Sequence, residues 1–240
     1  MTNKEPYTLK RLPDGTKAAF KNEAYWKDIA QKKYDVLLKR SEIPHFYWDI
    51  SFNDYKGNKS IVELYQVKKY AKDCFTTKFD FVNLYLWSEI NSSQKTALLC
   101  NIGKEAIKQG KKVKFILAGD LINYLIKNQG YSVDEDIRDK LNILKQQDML
   151  LIDDIFDPKK AVQWKQSDLI TAEIDLFFRG LLSTNIKVIL SSNTNPLNIK
   201  DKFGIAIQEL IDRNFIPLNF NDDIKLHRKK MFDNIFDEES

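Results

Sequence analysis

The feature that most constrains the fold is a series of short apolar runs that alternate with helix-length stretches after Phe79. These runs cover residues 81–86, 113–117, 149–152 and 186–190. Because parallel strands need crossover connections, the alternation predicts an α/β fold in which helices flank a parallel sheet. Ligands in open sheets of this kind bind at the carboxyl ends of the strands, so we expect the functional side chains there.

The residues before the first run follow a different pattern. Two extended stretches surround Asp14-Gly15, which predicts a small hairpin within residues 7–20. Aromatic and apolar side chains then recur at helical spacing within residues 25–38 and again within residues 61–74. These segments are predicted to form a mostly helical amino-terminal arm.

Composition sets the domain organisation. A chain of 240 residues with 43% apolar content can bury one α/β core and carry an appendage. We therefore predict an arm at residues 1–75 and a core with a short tail at residues 76–240. The aromatic stripe on the first helix is expected to contact another protein, because an arm this short has no hydrophobic core of its own on which the stripe could pack. The alternative is that the stripe packs on the domain that follows.

Charge and cysteine usage exclude some classes of protein. Residues 1–78 carry 16 Lys and Arg against 10 Asp and Glu, so the positive charge lies in the front third, which favours nucleic acid or simply a solvated surface. Cys74 and Cys100 are isolated, which argues against a disulfide framework and for a reducing cytoplasm. The sequence opens with no secretory leader and contains no run long enough to span a membrane, so no membrane role is expected.

A degenerate phosphate-binding loop follows the first strand. The template G-x-x-x-x-G-K-[ST] falls on residues 89–96, with Glu89 and Gln94 at the glycine positions. Lys95 offers an ammonium for the β- and γ-phosphates of a nucleotide, and Thr96 offers a hydroxyl for Mg²⁺. On its own this pattern is weak, and a coincidence remains the alternative.

The missing glycines affect the backbone of the loop. Glycine permits positive φ and brings backbone N–H groups close to phosphate. The small polar residues Asn91, Ser92 and Ser93 partly supply this freedom, since Asn tolerates the left-handed region. Gln94 is the larger departure.

Two further strand ends carry polar groups that complete such a site. Asp153 and Asp154 follow the buried run 149–152, where the first carboxylate would hold Mg²⁺ and the second would polarise an attacking water. Asn193 follows the next strand, where its amide would hydrogen-bond that water or the γ-phosphate. An acidic turn and a helix cap are the ordinary alternatives for these residues.

At this point the sequence resembles a known family. The stretches LLIDDIF, LFFRGLLSTNIKVILSSN and AIQELIDR are similar to the AAA+ core of bacterial replicative-helicase loaders, the DnaC/DnaI group, and of the related transposition helper IstB. Arg40 to Phe52 resembles the segment that leads into that core. The resemblance covers roughly residues 36–225, and it implies an AAA+ P-loop NTPase fold.

The resemblance implies roles for individual residues. Lys95 and Thr96 match the phosphate-loop pair, Asp153 and Asp154 match the metal-binding and catalytic acids, and Asn193 matches the first sensor. Arg213 matches an arginine finger that reaches the γ-phosphate held by a neighbouring subunit, a task that suits a planar guanidinium. Lys225, or else Arg228, lies where a second sensor cation is expected.

The implied function is loading of a replicative helicase. The resemblance implies binding of ATP or ADP with Mg²⁺, self-association through the ATP site, contact with a hexameric helicase, and binding of single-stranded DNA in the bacterial cytoplasm. Lysines on the helix after the loop, among them Lys104 and Lys108, are candidates for DNA contact, but a solvated helix face is the more ordinary interpretation.

The sequence departs from the family in two ways. It lacks the zinc-ligand clusters found in the amino-terminal parts of some loaders, so a helicase contact would use the hairpin and the Tyr25-Trp26 helix. The glycine-poor loop predicts weak ATP binding and slow hydrolysis, as in a relaxed phage-borne loader. Two other functions stay open: a nucleotide-dead interaction protein and an IstB-like transposition helper.

Overall fold

The protein folds around a parallel sheet. The computed structural model describes residues 5–57, 60–90, 93–128, 135–156 and 168–221. Within these ranges lie a two-stranded hairpin and a five-stranded sheet whose strand order is β4-β5-β6-β3-β7. Every pairing in the larger sheet is parallel. The predicted α/β class with a parallel sheet and flanking helices is confirmed.

The elements follow one another in the order expected for crossover connections. In chain order they are β1 (Tyr7–Arg11), β2 (Lys17–Lys21), α1 (Glu23–Arg40), α2 (Ile61–Asp73), β3 (Asn83–Trp87), α3 (Lys95–Lys108), β4 (Val113–Leu117), α4 (Ala118–Lys127), α5 (Glu135–Lys145), β5 (Met149–Ile155), α6 (Asp168–Leu182), β6 (Lys187–Ser192), α7 (Ile199–Phe203), α8 (Ile205–Asn214) and β7 (Phe215–Asn219).

Two apolar clusters cover the two faces of the sheet. One lies between the sheet and α4, α5, α6 and α8, with fully buried Tyr85 and Leu190 contributed by the strands. The other lies between the sheet and α1, α2 and α3, with Leu86 and Ile189 from the strands. Because the inner strands are buried on both faces, they are apolar at nearly every position, as the short runs in the sequence indicated.

Helix α3 approaches the sheet closely enough to require a glycine. A Cβ atom at Gly103 would lie 2.5 Å from Cδ1 of Leu151, which is fully buried on β5. Contacts this short do not occur, so a side chain at this position would require either the Leu151 side chain or the helix to shift. This close approach also carries the first turn of α3 towards the carboxyl end of β5.

The strand boundaries differ from the prediction at three places. β3 begins at Asn83 because Phe81, with φ of 59°, is 68% exposed and cannot continue the strand. β5 continues through Asp153 and Asp154 to Ile155, with an irregularity in its pairing with β6, so the two acids lie inside the strand. β7 was not predicted, because its five residues include a proline and only two buried side chains.

The arm contains the predicted hairpin. β1 and β2 pair antiparallel, with Tyr7 opposite Lys21 and Gly15 in the turn at φ of 85°. The Trp26 indole donates to the carbonyl of Pro6 at 3.2 Å, so the first turn of α1 lies against the hairpin.

The expectation that the whole aromatic stripe of α1 contacts another protein is wrong for the second half of the helix. Tyr34, Leu37 and the buried Leu38 pack against the core cluster on the α3 side of the sheet. Helix α2 also packs on this cluster through Val67, Tyr70 and Ala71. Of the helices in the described ranges, none combines the length and the apolar character needed to cross a membrane.

Candidate functional site

The phosphate loop retains a glycine-like backbone without a glycine. Gln94 precedes α3 with φ of 60° and ψ of 21°, the left-handed conformation, and its side chain is buried. A non-glycine residue in this region is strained by about 1 kcal/mol, so the surrounding structure must impose the conformation. Asn91 and Ser92, which were predicted to cradle phosphate, lie outside the described residues, whereas Ser93 is fully buried beside the start of the helix.

Replacing Gln94 with glycine is expected to relieve this strain. Gln94→Gly should raise the free energy of unfolding by about 0.5–1 kcal/mol relative to Gln94→Ala, because both variants lose the side chain and only glycine adopts positive φ without strain. Chemical denaturation of the two variants measures the difference. Equal stability of the two variants would show that the backbone at this position is not strained.

Lys95 is folded back onto the loop. Its Nζ donates to Ser93 Oγ at 3.0 Å and to the Ile90 carbonyl at 3.3 Å, and the residue is only 5% exposed. Burial lowers the pKa of Lys95 to about 8, against the opposing effect of the nearby Asp154 and Asp153 carboxylates. Among the described residues, no carboxylate is in direct contact with this ammonium, which lies next to the start of a helix where an anion is favoured.

Thr96 and Asp153 converge from α3 and β5. The Thr96 hydroxyl donates to the Asp153 carboxylate, with distances of 3.0 and 3.1 Å to its two oxygens. Ser191 on β6 donates a second, very short hydrogen bond to the same carboxylate. Asp153 is 4% exposed, and its burial raises its pKa despite the two hydroxyl donors.

This pair of oxygen ligands fits a magnesium ion. Mg²⁺ in nucleotide sites is held by one or two protein oxygens together with phosphates and waters, so a larger protein cage is not required. Among the described residues, no group of three or more His, Cys, Asp and Glu side chains is arranged to hold a metal. A buried carboxylate with a raised pKa gains stabilisation from a cation at this position, and Thr96 and Asp153 are the residues that would hold it.

Asp154 and Asn193 lie at the same edge of the sheet. Asp154 has φ of 58°, is partly exposed, and donates its backbone N–H to Ser191 Oγ at 3.2 Å. Asn193 comes directly after Ser192, which pairs with Ile155 at the end of β5. The sheet thus gathers Lys95, the acids and Asn193 at one edge, although no hydrogen bond between described residues joins Asn193 to the others.

Arg213 lies at the opposite edge of the sheet. The Asn83 side chain at the start of β3 donates to the carbonyl of Asn214 at 3.2 Å, whereas Lys95 follows the far end of β3. A five-residue strand separates these ends by roughly 13 Å. Arg213 is exposed and forms an ordinary surface ion pair with Glu209 at 3.3 Å. Lys225 and Arg228 lie outside the described residues.

Lys104 does not belong to a solvated, DNA-facing surface. Its Nζ donates to the carbonyls of Tyr47, Trp48 and Ile50, and the residue is 6% exposed. Burial lowers the pKa of Lys104. This lysine therefore fixes the segment before α2 onto α3, whereas Lys108 remains exposed beside Glu105.

Sequence reasoning missed three polar residues at the site. Ser191 bridges Asp153 and Asp154, and Ser88 and Asn221 join the start of the loop to the end of β7. A strand that ends in Ser191-Ser192-Asn193 offered a signal for the first of them. Asn221 offered none, because β7 itself was not predicted.

Comparison with known proteins identifies the family. The sequence family described as the bacterial DnaA ATPase domain matches residues 57–207 of this chain. Among curated proteins, none matches the sequence.

Solved structures share the fold at low sequence identity. AMPPCP-bound DnaA from Aquifex aeolicus is 18% identical with a TM-score of 0.57, over 79% of this chain and 55% of that one. Domain III of DnaA from Thermotoga maritima is 17% identical with a TM-score of 0.59, and the match covers 80% of this chain and 75% of that one. A DnaC helicase loader is 15% identical with a TM-score of 0.58, and the match covers 74% of this chain and 100% of that structure. The chain thus spans about half of the Aquifex DnaA structure. Since the family match covers more than half of the sequence, this chain belongs to the family of the bacterial DnaA ATPase domain.

Proposed function

We propose that this protein is an ATP-dependent helicase loader of the DnaC/DnaI type. ATP binding is proposed because Thr96 Oγ1 lies 3.0 Å from Asp153 Oδ2, beside the buried ammonium of Lys95. These three groups provide a phosphate contact and two oxygen ligands, and they come from the elements that hold nucleotide in AAA+ proteins.

The site residues divide the work of ATP hydrolysis. Lys95 would neutralise the phosphates, while Thr96 and Asp153 would hold Mg²⁺, which would supply further charge neutralisation. Asp154, partly exposed at the same edge, accepts a proton from the attacking water, and Asn193 orients that water. The strained loop favours weak binding and slow turnover.

Arg213 serves the site of a second copy of the chain. It lies too far from its own site to act there, and its single exposed ion pair is worth at most about 1 kcal/mol. The guanidinium is therefore free to exchange Glu209 for a phosphate. Self-association through the ATP site follows from this role.

The loader assignment is supported by structural neighbours that include a DnaC helicase loader and a DnaI beside DnaA. The arm, assigned to residues 1–75 with the ATPase core at 76–240, is the proposed contact for a hexameric replicative helicase. Its hairpin presents apolar side chains to solvent: Tyr7, Leu9 and Phe20 are 53%, 69% and 42% exposed. Single-stranded DNA is the proposed nucleic-acid partner.

A pull-down with the replicative helicase of the native host tests this function. The double variant Leu9→Ser, Phe20→Ser should reduce helicase recovery at least tenfold, because it removes one exposed apolar side chain from each face of the hairpin and alters no core residue. The matched control is Leu197→Ser, which changes an 82% exposed leucine remote from the arm. Equal recovery with both proteins would refute the role of the arm, and no recovery with the unmodified chain would refute the loader assignment.

A further inference from the structure

The start of the phosphate loop is held by side chains from a different part of the chain. Ser88, fully buried directly after β3, donates its hydroxyl to Asn221 Oδ1 at 3.0 Å. The same amide oxygen accepts the backbone N–H of Glu89 at 3.3 Å. The Ile90 N–H in turn donates to Ser88 Oγ at 2.9 Å. Three consecutive residues of the loop are therefore fixed by the Ser88–Asn221 pair.

Both members of the pair are themselves anchored to rigid strands. The backbone N–H of Ser88 donates to the Ser192 carbonyl at 3.2 Å, which ties it to β6. Asn221 follows Phe220, a fully buried residue whose N–H donates to the Trp87 carbonyl at 2.8 Å and whose ring packs against Tyr55. The Ser88–Asn221 pair thus fixes the start of the loop relative to β6 and β7.

The pair also determines where the phosphate-binding ammonium rests. Ile90, whose N–H is bonded to Ser88, accepts Lys95 Nζ through its carbonyl at 3.3 Å. Contacts therefore run without interruption from Asn221 through Ser88 and Ile90 to Lys95. A loop with glycines at its template positions adopts its shape by backbone freedom, but this loop has Glu89 and Gln94 there.

We propose that Asn221 is a positioning residue for the start of the phosphate loop, residues 88–90, and that the Ser88–Asn221 pair compensates for the missing glycines by holding these three residues in the position from which the loop binds phosphate. The proposal rests on the ATP-binding part of the proposed function. Asn221 itself contacts the loop and acts on the nucleotide only through it.

Calorimetric titration with Mg²⁺-ATP tests the pair. Asn221→Leu keeps the size of the side chain and removes the acceptor, so the Kd for ATP should rise about tenfold, the effect of losing one to two hydrogen bonds. Ser88→Ala should have a similar effect. The double variant should bind no more than about threefold more weakly than the worse single variant, because the two residues act as one unit. Ile216→Ala, at an exposed position on β7, is the matched control and should bind as the unmodified protein does.

A conservative variant separates positioning from a general structural effect. Asn221→Asp retains the oxygen acceptor, so at 0.5 M salt, where the added charge is screened, its Kd should return to within threefold of the unmodified protein. Binding by Asn221→Leu within twofold of the unmodified protein, losses that simply add in the double variant, or failure of Asn221→Asp to recover, would each overturn the proposal.

Amide exchange in the nucleotide-free protein distinguishes this proposal from the proposed function. Exchange at the Ile90 amide should accelerate at least tenfold in Asn221→Leu, because its hydrogen bond to Ser88 is weakened. If the unmodified protein binds no ATP, the proposed function fails, while faster exchange at Ile90 still supports control of the loop by Asn221. Unchanged exchange at Ile90 refutes that control whatever the affinity for ATP.

Discussion

Lys95→Met is expected to raise the Kd for Mg²⁺-ATP at least a hundredfold. The ammonium is the cation that the described part of the loop offers to the phosphates, and charge-assisted contacts of this kind contribute about 3 kcal/mol or more. Methionine keeps the length and fills the same buried space. Titration calorimetry or a fluorescent ATP analogue measures the effect.

The control for this variant lies on the same helix. Lys108→Met removes an equal charge at the exposed end of α3, so its ATP affinity should stay within about twofold of the unmodified protein. Without nucleotide, Lys95→Met should be at least as stable as the unmodified protein, because it removes a buried ammonium that contacts no carboxylate in the described part of the chain. Similar ATP binding by the two variants would mean that Lys95 does not contact phosphate.

The pKa of Lys95 makes ATP affinity depend on pH. Burial lowers this pKa from the ordinary 10.5 to about 8, so the free protein is mostly protonated at pH 7 and mostly neutral at pH 9. Because ATP binds the charged form, its Kd should rise about tenfold between these values, and it should not do so in Lys95→Met. The same shift makes the contribution of Lys95 to stability unfavourable below pH 8, and this penalty is lost between about pH 8 and 10.5.

The second large effect is expected at Lys104. Lys104→Met should lower the free energy of unfolding by about 2–4 kcal/mol, because the carbonyls of Tyr47, Trp48 and Ile50 lose their shared charged donor. Urea denaturation measures this loss. Lys108→Met again serves as the control and should change stability by no more than about 0.5 kcal/mol. Equal stability of the two variants would show that the segment before α2 is not held by this lysine.

The class of fold and the edge of the sheet that carries the site were predictable from the sequence. Short apolar runs separated by helix-length stretches specify a parallel sheet, and Lys95, Asp153 and Asn193 each follow or end a run. Because the carboxyl ends of parallel strands lie at one edge, local patterns alone predicted that these residues would be near one another. The hairpin at Asp14-Gly15 was equally local, since its turn chemistry is contained in adjacent residues.

Features that depend on distant residues were not predictable in this way. The periodicity of α1 was correct, but whether Tyr34 and Leu37 face a partner or the core depends on where the sheet lies behind them. Lys104 resembles any lysine on an amphipathic helix, and only the three carbonyls brought over it reveal a buried, structural role. β7 has too few buried residues for a periodic signal, so the fifth strand was missed.

The conformation of the phosphate loop depends both on its own residues and on contacts from distant parts of the chain. By itself, the sequence determined that this chain has the Lys-Thr pair and the acids of a nucleotide site, and that glycines are absent between strand and helix. Only the tertiary structure decided that Gln94 nonetheless adopts positive φ and that Ser88 is bonded to Asn221, 133 residues further along the chain. The physical reason is that residue type sets the intrinsic preference of a backbone, whereas contacts from strands distant in sequence supply the free energy that overrides it.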